Sequence, residues 1–229
     1  MRLERRLILA LDVTDPDRAR SIAKSVAGEV DAIKVGWALF LSGGRDVLKD
    51  IARLGYLLAD LRTAEIPNVT RLIVEQVVAM GASGIITQGF VGEDSVRAAV
   101  EAAGNAEVFV ITEMSHPGGA EFTAPHAEAI ARIAVRAGAA GIVAPATRPD
   151  RVRALRAIVG TKLILSPGVG TQGGSASAAI AAGADAVIVG RSILESANPA
   201  KAAKDIATEI APLSRQEAPK PRGRSPGSG

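Results

Sequence analysis

Short apolar runs alternate with longer amphipathic stretches along the chain. The runs at 7–13, 32–39, 56–61, 84–87, 107–112, 141–144, 162–165 and 185–189 are rich in Val, Ile and Leu and lack a two-residue alternation. Such runs belong to strands covered on both faces, as in a parallel sheet flanked by helices. The stretches between them carry helix signals. Asp15-Pro16 sets a capping side chain ahead of a first-turn proline, and Pro67 and Pro149 open two further helices. Val152, Leu155 and Ile158 recur at helical spacing after Pro149. Gly81, Gly138 and Gly183 each precede an alanine and read as helix-ending glycines that feed the next strand. Eight strand-plus-helix units in 229 residues predict an α/β fold, a closed (β/α)8 TIM barrel rather than a doubly wound sheet. The barrel is expected over 1–213. Residues 214–229, SRQEAPKPRGRSPGSG, are rich in Pro, Gly and Ser and predict a disordered basic tail.

Composition narrows the chemistry. Cysteine is absent, which excludes disulfides, thiol catalysis and Cys-ligated zinc, and His116 and His126 are the two histidines, too few for a His-rich metal site. His116 reads as a loop-shaping residue and His126 as a helix-surface one. Aromatics are 3% of the chain, too sparse for base-stacking platforms. The net charge of +3 resides in residues 215–229, which hold four basic residues against one acidic, so the remainder is formally neutral. That balance gives no reason to expect nucleic acid as a partner. No apolar run approaches the ~18 residues of a membrane span, and the apolar stretch 7–11 is too short for a signal peptide, so a soluble, cytoplasmic protein with no membrane partner is expected.

In a (β/α)8 barrel the site lies at the carboxyl ends of the strands, so polar residues are expected where the apolar runs end. Asp12, Lys34, Asp60, Arg62, Glu65, Glu113, Ser115, Ser166 and Arg191 occupy such places. A lysine or aspartate inside an apolar strand is costly unless it is paired or faces a polar site. The seventh strand runs into Ser166-Pro167-Gly168-Val169-Gly170-Thr171-Gln172-Gly173-Gly174, and the eighth into Gly190-Arg191-Ser192. Glycine lets backbone N–H groups approach an anion closely, and Arg191 adds a charge-assisted donor. Loops after strands seven and eight form the usual phosphate site of this fold, so a phosphorylated ligand is expected.

Asp12, Ile33-Lys34-Val35-Gly36, Ala59-Asp60-Leu61-Arg62-Thr63-Ala64-Glu65-Ile66-Pro67, Thr112-Glu113-Met114-Ser115-His116-Pro117-Gly118, the 166–174 loop and Val189-Gly190-Arg191-Ser192 stand in order over residues 7 to about 212. Together they resemble the archaeal orotidine 5'-monophosphate decarboxylases. The resemblance implies a metal-free, cofactor-free homodimer with shared active sites that converts orotidine monophosphate to uridine monophosphate. It implies a charged Lys-Asp-Lys-Asp array whose first members are Lys34 and Asp60, with Asp60 facing the substrate carboxylate. The second lysine protonates the carbon left behind, and the last aspartate reaches the ribose of the neighbouring subunit. By the same resemblance, Asp12 and Lys34 bind ribose hydroxyls and Ser115 the pyrimidine. Gln172, Gly190 and Arg191 bind the phosphate, within a loop that includes Pro167, Gly168, Gly170 and Gly173. Trp37 and Phe40 are expected in the core or near the dimer contact.

The family motif Asp-x-Lys-x-x-Asp reads Asp60-x-Arg62-x-x-Glu65 here, so Arg62 and Glu65 take the places of the second lysine and last aspartate. Val69 stands where a threonine is usual, Gln88 for a histidine and Ala146 for a serine. Two other readings stay open. Hexulose phosphate synthases and ketogulonate phosphate decarboxylases share the motif but hold magnesium with a glutamate where this chain has Lys34. A non-catalytic barrel could keep the phosphate loops without the array.

Overall fold

The computed structural model describes residues 1–211, so the expected tail at 214–229 lies outside the described residues. Eight parallel strands close in sequence order into a barrel. They are β1 (Leu7–Ala10), β2 (Ala32–Gly36), β3 (Leu57–Thr63), β4 (Gly84–Gln88), β5 (Glu107–Ile111), β6 (Gly141–Val143), β7 (Leu163–Pro167) and β8 (Ala186–Val189). Closure is made by β1 against β8, with Leu7 opposite Val187 and Leu9 opposite Val189.

The larger connecting helices are α1 (Pro16–Val26), α2 (Trp37–Ala52), α3 (Pro67–Ala79) and α4 (Glu93–Ala103). A short α5 (Gly119–Phe122) and a 3-10 turn (Ala124–His126) lead into α6 (Ala127–Arg136). Then follow α7 (Pro149–Val159), α8 (Ala176–Ala181), the single-turn α9 (Arg191–Leu194) and α10 (Pro199–Ile210).

Local chemistry explains the helix ends. The Asp15 carboxylate caps α1 by accepting from the N–H groups of Asp17 and Arg18, and Pro16 occupies the first turn, where no N–H is needed. Gly81, Gly138 and Gly183 all take positive φ, as the expected turn out of a helix requires.

The core has two layers, and alternation along each strand sorts residues between them. Ile8, Ala10, Ala32, Leu58, Ile86, Phe109, Ile111, Val143, Leu165, Ala186 and Ile188 fill the barrel interior. Their strand neighbours, such as Leu7, Leu9, Ile33, Ala59, Ile85, Val108 and Val187, face outward into the shell of helices. By the same alternation Lys34, two residues after Ala32, and Asp60, two after Leu58, point into the barrel at its carboxyl end.

Three expectations need correction. The apolar run 32–39 is one strand only as far as Gly36; Trp37 starts α2 without an intervening loop and is 46% exposed rather than core. Its indole N–H donates to the Leu61 carbonyl at 2.7 Å. The run 7–13 leaves the sheet after Ala10. Conversely, β3 and β7 continue past their apolar runs, so Arg62 and Ser166 are strand residues.

Candidate active site

An open cleft of about 790 Å³ lies at the carboxyl ends of the strands. Asp12, Lys34, Asp60, Arg62, Ser115, Pro167, Gly168, Gln172, Gly190 and Arg191 line it, from segments as far apart in sequence as β1 and β8. Three expected site residues, Glu65, Gly170 and Gly173, are not part of its wall.

Four charges alternate across one side. The Lys34 ammonium is 6% exposed and sits 3.1 Å from Asp12 Oδ1 and 3.2 Å from Asp60 Oδ2. A buried ammonium is tolerable only with such partners. Asp60, 5% exposed, receives Lys34 on one oxygen, while Arg62 Nε stands 3.4 Å from the other. That second oxygen, Oδ1, accepts no hydrogen bond among the described residues. An unsatisfied buried carboxylate oxygen is expensive, and it disfavours a second anion placed against it.

Arg62 itself is strained. Its φ is +46°, in the left-handed region, and it sits where the pairing of β3 with β4 shifts register between Ala59 and Thr63. Bulges of this kind re-aim a side chain and cluster near active sites. Here the guanidinium is turned up to the cleft mouth, its side chain 45% exposed, with Nη1 3.5 Å from the Met114 sulfur. The Glu65 side chain, in the place of the motif's last aspartate, is exposed and makes no ion pair among the described residues. Its carbonyl accepts from the Thr70 and Ser95 hydroxyls, which pins the backbone of the β3–α3 loop.

Across the cleft the 166–174 loop closes on itself. Gly170 N–H donates to Gly174 O at 2.9 Å, Gly173 N–H to Gly170 O at 2.7 Å and Gly174 N–H to Gly168 O at 3.0 Å. Gly170 takes φ +76°, and a Cβ there would come within 2.5 Å of Ser192 Oγ. Its glycine therefore lets this loop dock on the one after β8. Gly170 and Gly173 thus shape the loop, while Gln172 reaches into the cleft and accepts from Ser115 Oγ at 2.9 Å. Arg191, exposed at the start of α9, makes no ion pair among the described residues.

Two of the polar strand-end residues lie elsewhere. Ser166 is fully buried and points away from the barrel interior, by alternation with Leu165. Glu113 is fully buried against Arg148 and Arg151. The pattern also missed the apolar wall of the cleft, made by Ile86, Ile111, Val143 and Ile188. An apolar residue within an apolar run carries no local mark of facing a ligand.

This arrangement defines a (β/α)8-barrel protein whose ligand cleft spans the strand ends from β1 to β8. Residues 5–206 match the orotidine 5'-phosphate decarboxylase / HUMPS family. The orotidine 5'-phosphate decarboxylase of Methanosarcina mazei is 56% identical over 207 residues, covering 89% of this chain and 94% of that protein. That of Thermococcus kodakarensis is 47% identical, covering 90% and 97%. Among solved structures, orotidine 5'-monophosphate decarboxylase from Methanocaldococcus jannaschii, complexed with inhibitor BMP, superposes with a TM-score of 0.85 at 41% identity, covering 89% of this chain and 97% of that one. The chain belongs to the orotidine 5'-phosphate decarboxylase / HUMPS family.

Proposed function

We infer that this chain decarboxylates orotidine 5'-monophosphate to uridine 5'-monophosphate, with Arg62 in the place of the proton donor. The observation that carries the reading is the buried Asp60 carboxylate, held by Lys34 and presenting a hydrogen-bond-free oxygen beside Arg62. A substrate carboxylate seated against that oxygen is repelled. When the bond from the ring carbon to the carboxylate breaks, carbon dioxide leaves neutral and the repulsion is relieved. The electron pair stays on the ring carbon, which then takes up a proton. A guanidinium is a weak acid, yet the ring carbanion is far more basic, so proton transfer from a guanidinium to it runs downhill. Before transfer the guanidinium stabilises the developing negative charge electrostatically. The direct test is carbon dioxide release from orotidine monophosphate beside a binding assay for uridine monophosphate. Binding without any release would favour a non-catalytic barrel.

Arg191 and the 167–174 loop take the phosphate. Arg191 is exposed at the cleft wall and makes no ion pair among the described residues. Arg191→Ala is expected to weaken uridine monophosphate by about 1.5–3 kcal/mol, the range for hydrogen bonds to charged groups. Titration calorimetry reads this directly, and an unchanged affinity would remove Arg191 from the site.

No divalent ion is required. The Lys34 ammonium already neutralises the space between Asp12 and Asp60, where a magnesium ion would meet a positive charge about 3 Å away. Turnover is therefore expected to survive EDTA. Loss on chelation with recovery on adding magnesium would point instead to the sister enzymes of the same barrel.

The working unit is a homodimer. Trp37 and Leu72, both exposed, border one apolar depression between α2 and α3, and exposed Ile66 follows Glu65 on the neighbouring loop. An apolar patch around an unpaired carboxylate suits a two-fold contact that carries Glu65 to the partner's cleft.

A further inference from the structure

Glu113, a fully buried carboxylate, directly precedes Met114 and Ser115 at the edge of the cleft, and the catalytic scheme does not use it. Both of its oxygens are engaged: Oε1 by Arg148 Nε at 2.5 Å and Oε2 by Arg151 Nε at 3.0 Å. Neither arginine stops there. Arg148 Nη2 donates to the Met114 carbonyl, and Arg151 Nη2 donates to the Ala124 carbonyl at 3.0 Å. The rest of the segment is tied in the same way. The Met114 N–H donates to Thr123 Oγ1 at 3.0 Å, and Thr147 Oγ1 donates to the Ser115 carbonyl at 3.1 Å. The Ser115 hydroxyl is then left to reach Gln172 over the cleft. Each arginine fork grips the carboxylate with one nitrogen and a backbone carbonyl with another, which a lysine cannot reproduce. A buried ion cluster is a weak source of stability but a stiff support, because any displacement uncovers charge.

We propose that Glu113, acting through Arg148 and Arg151, is a positioning residue that sets the Ser115 hydroxyl for recognition of the pyrimidine base. This rests on the nucleotide reading above. Glu113 makes no hydrogen bond to the catalytic array or the phosphate loops, and its link to the 166–174 loop runs through the Ser115–Gln172 bond, so its influence falls first on the base.

The experiment compares two probes on the full chain: uridine monophosphate, and ribose 5-phosphate, which lacks the base. In Glu113→Gln, uridine monophosphate affinity is expected to fall about tenfold or more while ribose 5-phosphate affinity changes less than about twofold. Arg148→Lys keeps the charge opposite Glu113 but cannot also hold the Met114 carbonyl, so it should fold and show the same selective loss. In a Ser115→Ala background, Glu113→Gln should add less than about twofold, because the two residues act as one unit. Equal loss of both probes, no loss of either in Arg148→Lys, or a full Glu113 effect without Ser115 would overturn the proposal. Carbon dioxide release is measured separately, so failure of the catalytic reading is distinguished from failure of this one.

Discussion

Arg62→Ala is expected to abolish carbon dioxide release while leaving uridine monophosphate affinity within about tenfold, roughly 1.4 kcal/mol. The fold should tolerate the change, since Arg62 is half-exposed and Lys34 still pairs with the buried Asp60. What disappears is the cation beside the reacting carbon and its transferable proton, contributions that together amount to several orders of magnitude in rate. Uridine monophosphate lacks the carboxylate and carries no carbanion, so its binding draws on the phosphate loops and the ribose contacts instead. Arg62→Lys provides the complementary measurement. A lysine ammonium at this bulge has a lower pKa and a more compact head than guanidinium, and should sustain turnover. A wild-type protein that binds the nucleotide yet never releases carbon dioxide would sink the assignment of Arg62 as donor.

The second large effect is recovery of activity on mixing two dead variants. Asp60→Asn removes the carboxylate proposed to face the substrate while preserving its shape. Glu65→Ala removes a side chain that, in its own subunit, lies outside the cleft and pairs with nothing among the described residues. If Glu65 serves the partner's site, a hybrid dimer holds one site with both defects and one with neither. Random exchange of equal amounts then restores about a quarter of wild-type activity, as two-fold symmetry requires. Exchange can be followed by native mass spectrometry. Complete exchange with no recovered turnover would return Glu65 to the surface of its own subunit.

The eight-unit barrel was legible because parallel strands buried on both faces leave a repeated signature of apolar runs, punctuated by Pro at helix starts and Gly at helix ends. The charged wall of the cleft was legible for the opposite reason. Lys34 and Asp60 are conspicuous inside apolar strands, and burial of a charge demands a partner. Facing was not legible. Ser166 and Glu113 are as polar and as close to strand ends as Asp60, yet one turns outward from the barrel and the other pairs with arginines 35 and 38 residues away. Only the register of each strand decides which side a residue takes, and uniformly apolar strands hide that register. The boundary at Trp37 escaped for a related reason. With no loop between β2 and α2, nothing polar marks the change from a two-residue to a 3.6-residue period.

The left-handed backbone at Arg62 sets two demands on one position against each other. A non-glycine residue held in that conformation costs on the order of 1–3 kcal/mol. A chain shaped for thermal endurance alone would therefore carry glycine there, and a protein engineer ranking substitutions by melting temperature would be drawn to remove the guanidinium proposed as the proton donor. On the proposed role of Arg62, residue 62 is a place where improvement measured by heat and improvement measured by catalysis have opposite signs, although Arg62 is neither deeply buried nor central to the core.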